Sequence, residues 1–143
     1  ILVITIRGVI QSTIILIFAF LLGARLYSLT QLIGTYIILF IFGALLSAAA
    51  TTIAIYLDDH DQYAAANAMI SMPLFFTSSA MMPYDVMPAW LEPIARVNPL
   101  SFAIDGIRIL QTGEIPVTQI SVLSLLCIGV VTLAIHVFRK VKI

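Results

Sequence analysis

The chain has 143 residues, of which 62% are hydrophobic and only 10% charged, with a formal net charge of zero. Soluble domains carry about 45–50% apolar and about 25% charged residues, and a small domain cannot hide so large an apolar excess from water. Lipid is therefore the expected solvent, and a basic nucleic-acid footprint is excluded.

A helix crosses about 30 Å of hydrocarbon with roughly 20 apolar residues. Four segments meet that requirement, so the expected fold class is an all-α membrane protein with four transmembrane helices in one domain. The first expected span is 1–22, interrupted by Arg7 and Gln11. It begins at Ile1 inside an apolar stretch, with no basic leader and cleavage site. The start therefore reads as a truncation of a longer chain. A short loop over 23–31, with Gly23, Arg25, Ser28 and Thr30, leads to an uncharged second span over 32–57. Gly43, Ser47 and Thr51 are four apart in it, as are Ala44, Ala48 and Thr52, and such faces let helix backbones approach closely.

The run Asp58-Asp59-His60-Asp61, within a connection over 58–63, holds metal-ligating residue types. Consecutive side chains of a regular element point apart, however, which favours a solvated turn. The third span, 64–82, carries Asn67, Ser71, Thr77, Ser78 and Ser79. Pro73 in its interior frees the carbonyl near Met69 and is expected to kink the helix. A hydroxyl-bearing helix of this kind suits a pathway lining as well as ordinary packing.

Residues 83–116 hold five of the six prolines, the lone Trp90 and six of the fourteen Asp, Glu, Lys and Arg residues, yet stay rich in apolar side chains. That mixture suggests re-entrant or interfacial helices. Trp90, Ile94 and Val97 share one helical face, and Asn98-Pro99 stops that helix. A second short helix is expected from Ser101, as N-cap, to Thr112, with Gly113 following as the C′ residue. Asp105 and Arg108, three apart, can pair on it. Tyr84 and Trp90 suit the interfacial level. The fourth span is 117–138, with Cys127 as a small apolar-facing residue and His136 at the interface.

No Asp or Glu lies in any of the four spans, so ion-coupled transport lacks its usual buried acids. There is no Walker loop, G-x-S-x-G or H-E-x-x-H, so neither ATP binding by that loop nor the corresponding hydrolytic chemistry is indicated. Arg7 reads as a cation snorkelling to the interface, or as an intramembrane functional charge. Arg7, Arg139, Lys140 and Lys142 fall on one side, against Arg25, Arg96 and Arg108 on the other. This bias points to a cytoplasmic C-terminus.

One stretch is more specific. Pro73-Leu74-Phe75-Phe76-Thr77-Ser78-Ser79, Pro83, Met87-Pro88-Ala89-Trp90-Leu91 and Asn98-Pro99-Leu100, with Asp105 and Arg108 following, resemble the type-2 permeases of ATP-binding-cassette transporters. Gly8-Val9-Ile10-Gln11 and Leu22-Gly23 are similar to the third span of that family. Thr77-Ser78-Ser79 departs from its more usual Ser-Gly helix end. The resemblance implies the C-terminal part of a six-span subunit, with short helices dipping into the outer leaflet before the last span. It implies export driven by separate cytoplasmic ATPase subunits, a second permease completing the pathway, ATP bound on the partner only, and a coupling helix upstream of Ile1. It also implies a plasma-membrane location and pathway or gate roles for Pro73, Thr77, Ser78, Ser79, Pro83, Pro88, Trp90, Asn98, Pro99, Asp105 and Arg108. The competing reading is an assembly or anchoring subunit that binds partner helices through Gly43, Ser47 and Thr51.

Overall fold

A computed structural model describes residues 2–21, 28–57 and 59–141. Its described residues form six α-helices and no strand: α1 (Leu2–Leu21), α2 (Leu29–Ala54), α3 (His60–Phe76), α4 (Glu92–Val97), α5 (Pro99–Gln111) and α6 (Val117–Val141), with a 3-10 turn at Tyr84–Val86 before α4. Most of the loop expected at 23–31, Arg25 included, lies outside the described residues.

Polar residues shift the helix boundaries from those expected. The Ser28 hydroxyl accepts from Gln31 N at 3.3 Å, and Ser28 N donates to Gln31 Oε1 at 2.9 Å. This reciprocal box satisfies two orphan amides, so α2 starts three residues early, with Thr30 inside its first turn. Asp59, placed by the sequence in a turn, is the N-cap of α3. Its carboxylate accepts from Asp61 N, and His60-Asp61-Gln62-Tyr63 are already helical.

The other end of α3 is the larger correction. The helix stops at Phe76 instead of Met82. Thr77 Oγ1 donates to Pro73 O at 2.8 Å and Ser78 Oγ to Phe75 O at 2.6 Å, offering the carbonyls partners other than the helical ladder. Residues 77–82 become turns. At 17 residues α3 is about 25 Å long at 1.5 Å per residue. Among the described residues, α2 and α6 are the two helices long and apolar enough to cross a membrane.

The core lies where α2, α5 and α6 meet, at Ile38, Ala103, Leu110 and Leu123. Two glycines allow the approach. A Cβ on Gly34 would stand 2.8 Å from Leu110 Cδ2, and one on Gly106 would stand 3.0 Å from Ile38 Cδ1 and 3.3 Å from Gln119 Cβ. Ser47 and Ala48 are buried on α2. Thr35, Thr51 and Thr52 bond back to the carbonyls of Gln31, Ser47 and Ala48, so their hydroxyls sit within helices without unmet donors. Tyr36 OH donates to Thr13 Oγ1 at 3.0 Å, joining α1 to α2.

The outer surface is apolar, with Phe18, Met69, Leu125 and Ile128 all well exposed. Water does not tolerate so continuous an apolar exterior, and lipid does. Val3, Thr51, Ile55, Phe138 and Arg139 line one groove, which places the start of α1 and the ends of α2 and α6 together. At the opposite end Gln31 Nε2 donates to Gln111 O at 3.4 Å. α2 and α6 therefore run parallel, and α1 runs against them.

Gly34→Val is expected to destabilise the fold by about 1–2 kcal/mol, because the added methyls must displace the buried Leu110 side chain and the helix-propensity gain offsets only part of that strain. A lowered thermal-unfolding midpoint of the detergent-solubilised protein checks this.

Candidate functional site

Asn98 is where the polar part of the site begins. It ends α4 and caps α5 in one residue, with extended backbone angles of φ −70° and ψ 124°. Pro99 takes the first helical position of α5, where its missing N–H has no intrahelical partner to lose. The Asn98 Oδ1 accepts from Leu100 N at 2.9 Å. Its Nδ2 donates to Leu74 O at 2.7 Å and to Thr77 Oγ1 at 3.0 Å. Asn98 thus closes α4 through its backbone N–H, which donates to Ala95 O, while its buried carboxamide opens α5 and holds the frayed end of α3.

α5 therefore starts at Pro99, and Ser101 is not its cap as the sequence suggested. Ser101 is buried in the first turn, and its hydroxyl accepts from Ser79 N at 2.9 Å. Ser101, Asp105 and Arg108 stand at spacings of four and three, which is one face of α5. That face grips the turn after α3. Ser79 Oγ donates to Asp105 Oδ1 at 3.0 Å, and Arg108 Nη2 donates to Ser79 O at 3.0 Å. Every polar atom of Ser79, a residue with 0% exposure, is taken by α5. The other Asp105 oxygen accepts from Tyr84 OH at 2.6 Å, and Arg108 Nη1 lies 3.7 Å from Asp105 Oδ1. Ser78 accepts from Ala80 N within the same turn.

The electrostatics follow from these contacts. Burial, and then the hydrogen bond to the Asp105 carboxylate, raise the Tyr84 phenol above its ordinary value of 10.0. The Tyr84 ring also carries the Arg96 guanidinium 4.9 Å from its centroid, and Arg96 pairs with Glu92 at 2.8 Å. Among the described residues no buried side-chain polar atom lacks a partner.

The sequence-nominated residues divide clearly. Thr77, Ser78, Ser79, Asn98, Asp105 and Arg108 converge in this junction, with Pro99 setting the start of α5. Pro83 caps the 3-10 turn, and Pro88 O accepts from Leu91 N and Glu92 N. Pro73 lies in the exposed wall of α3, where its carbonyl receives both polar groups of Thr77. Trp90, 69% exposed, stands outside the junction, with Ile94 and Val97 exposed as well. Sequence reasoning missed Ser101 as acceptor and Tyr84 as a partner of Asp105. The spacing 101, 105 and 108 was the available signal.

A second feature is a cleft of about 380 Å³ walled by α1, α2 and α3. Gly8 and Ser12 line it from α1, Phe42, Gly43 and Ser47 from α2, and Tyr63, Asn67 and Ser71 from α3. A shallower apolar groove of about 490 Å³ runs beside it along Ser71, Leu74, Phe75, Phe76 and Leu100. Of residues 73–82, Leu74 alone is among the residues lining the cleft. The hydroxyl and amide groups facing it come from one to two turns earlier. Of the acidic run, Asp58 lies outside the described residues, and no three His, Cys, Asp or Glu stand together among those described.

Described residues that are all-helical, apolar on the outside, with two membrane-length helices and a small-residue cleft among them, have the make-up of a membrane permease. The family follows from comparison: the ABC-2 type transporter family matches residues 1–112, and the chain belongs to it. A putative transport permease, ycf38, of Cyanophora paradoxa is 33% identical over 109 residues, covering 76% of this chain and 38% of that protein. Its namesake in Porphyra purpurea is 40% identical over 57 residues, 40% of this chain and 20% of the relative. The daunorubicin resistance ABC transporter permease protein DrrB1 of Streptomyces coeruleorubidus is 25% identical over 81 residues, 57% of this chain and 29% of the relative. The chain thus spans well under half the length of these relatives. No solved structure matches it.

Asn98→Ala is expected to cost about 2 kcal/mol or more, since it removes a helix cap and leaves Leu74 O without its donor. Thermal unfolding compared with Asn98→Asp, which keeps the cap acceptor, checks the division between the two losses. The Tyr84 contact has a pH signature. A phenol raised in the folded state stabilises fully below its unfolded value, near 10.0, and that contribution disappears as pH climbs through the raised value. The difference in ultraviolet pH titration between the native protein and Tyr84→Phe is expected to show a phenol that ionises later than free tyrosine.

Proposed function

We propose that this chain is the C-terminal membrane part of the permease subunit of an ATP-driven exporter. It pairs with a second permease to form the substrate pathway, and separate cytoplasmic ATP-binding-cassette ATPase subunits bind the ATP and supply the power. The observation that carries this reading is the cleft between α1, α2 and α3 in a chain of the ABC-2 type transporter family. It is apolar at Phe42, Leu46 and Ile70 and dotted with Ser12, Asn67 and Ser71, which fits an amphipathic cargo held by area and a few hydrogen bonds. The relative named for daunorubicin resistance supports a drug-like cargo class.

In this reading all four long helices cross a plasma membrane, with α3 completed by the turns after Phe76. The end shared by Val3, Ile55 and Arg139 faces the cytoplasm, in keeping with Arg7, Arg139 and Lys140 near it. The segment from Pro83 to Pro116 is the external lid, its Trp90, Ile94 and Val97 face resting in the outer leaflet. The junction at Ser79 ties the lid to α3, so movement of that helix is passed to the lid and the cleft can alternate between two openings.

The anchoring alternative draws less support: Ser47, the middle residue of the face proposed for partner helices, is 2% exposed.

The test uses the full-length permease. Copurification of an ATPase subunit, with ATP hydrolysis lost on substitution of that partner's Walker lysine, is expected. Purification without any ATPase would overturn the reading. Ser71→Phe, which fills the cleft from an exposed position, is expected to reduce efflux of an amphipathic drug several-fold with unchanged expression. Full transport by Asn98→Ala with Pro99→Ala would remove the gating role of that turn.

A further inference from the structure

The groove at the other end of the bundle is open, apolar and edged by positive charge. It measures about 570 Å³ and is lined by Val3 of α1, Thr51 and Ile55 of α2 or just beyond it, and Ala134, Ile135, Phe138 and Arg139 of α6. That volume falls within the range of ligand-sized sites. Its walls are open to the outside, with Val3 and Ile135 both about half exposed or more. Thr51 adds no free donor to them, because its hydroxyl is bonded to Ser47 O.

Among the described residues the one charged lining side chain is Arg139, and Lys140 follows it in the last turn of α6. Arg7 lies one turn beyond Val3 on the same face of α1 and is exposed. Among the described residues, none of these three cations is in an ion pair. The described acids nearest in sequence to Ile55, Asp59 and Asp61, belong to the start of α3, from which no described residue lines the groove. An apolar slot with cations at its rim, at the end of a membrane-length helix, matches a molecule with an acyl chain and an anionic head.

We propose that this groove is a binding site for an anionic phospholipid. One acyl chain lies along Ile55, Ala134 and Ile135, and the phosphate sits at the Arg139 guanidinium, within reach of Lys140 and Arg7. A planar guanidinium can engage two phosphate oxygens at once. The occupant belongs to the leaflet at which α6 ends, and the site does not depend on what the protein exports or on its ATPase partner.

The experiment is native mass spectrometry of the full-length permease titrated with phosphatidylglycerol and, separately, with phosphatidylcholine of the same acyl chains. The native protein is expected to prefer phosphatidylglycerol. Arg139→Gln should lower that preference about five-fold, from the loss of one interfacial cation. Arg139→Lys should keep most of it. Ile135→Trp, which fills the groove from an exposed position, should weaken both lipids while leaving the charge in place. Unchanged selectivity in Arg139→Gln would overturn the proposal. If that variant does not fold, retention of bound phosphatidylglycerol by Ile135→Trp would overturn it instead. Inorganic phosphate that displaces the lipid fully would show a headgroup-only site and would also overturn it. So would a cysteine at position 135 shielded from maleimide by another segment of the full-length chain after delipidation.

Discussion

The short segments before α6 hold their place through the capture of one serine. Ser79 gives its amide to Ser101, its hydroxyl to Asp105 and its carbonyl to Arg108. These are three donors and acceptors of a turn that no helix ladder could satisfy. An unpaired backbone group out of water is costly, more so near lipid than near solvent. The face of α5 that supplies the partners is thereby oriented about its own axis. Its opposite, apolar side then falls on Ile38 and Leu123, where the core of the bundle forms.

Close packing of the long helices rests on a different device. Gly34 and Gly106 remove the side chains that would hold α2, α5 and α6 apart, and threonines return their hydroxyls to their own helix. Neither device needs apolar collapse as its driving force, which is weak between helices already surrounded by hydrocarbon. Packing contact and internal hydrogen bonding do the work that water does for a soluble bundle.

Much of this was legible in advance. The long apolar runs marked α1, α2 and α6 within a few residues, because a helix in lipid must be apolar over a membrane's thickness. The pairing of Asp105 with Arg108 and the C′ role of Gly113, observed at φ +90°, followed from local spacing and chemistry. The end of α3 did not. A run of apolar residues with three hydroxyls reads equally well as continuing helix, and the local bonds of Thr77 and Ser78 end it together with partners more than twenty residues away. Ser101 illustrates the same limit. Its residue type fits a cap, but the adjacent Asn98-Pro99 pair fits better, which frees the serine for a long-range bond. The cleft itself was not visible in the sequence, because it needs α1, α2 and α3 side by side; the amide and hydroxyl that face it from α3 are Asn67 and Ser71.

The double duty of Asn98 has a mechanical consequence. A residue that closes one helix while opening the next leaves no slack between them. Its amide group also fixes both to the carbonyl of Leu74. α4 and α5 therefore behave as an elbow with a rigid pin, and the exposed indole of Trp90, just upstream of α4, is carried by that elbow. The position of the indole thus becomes a gauge of where α3 ends, so a shift at the buried serine turn is carried to the exposed surface around Trp90.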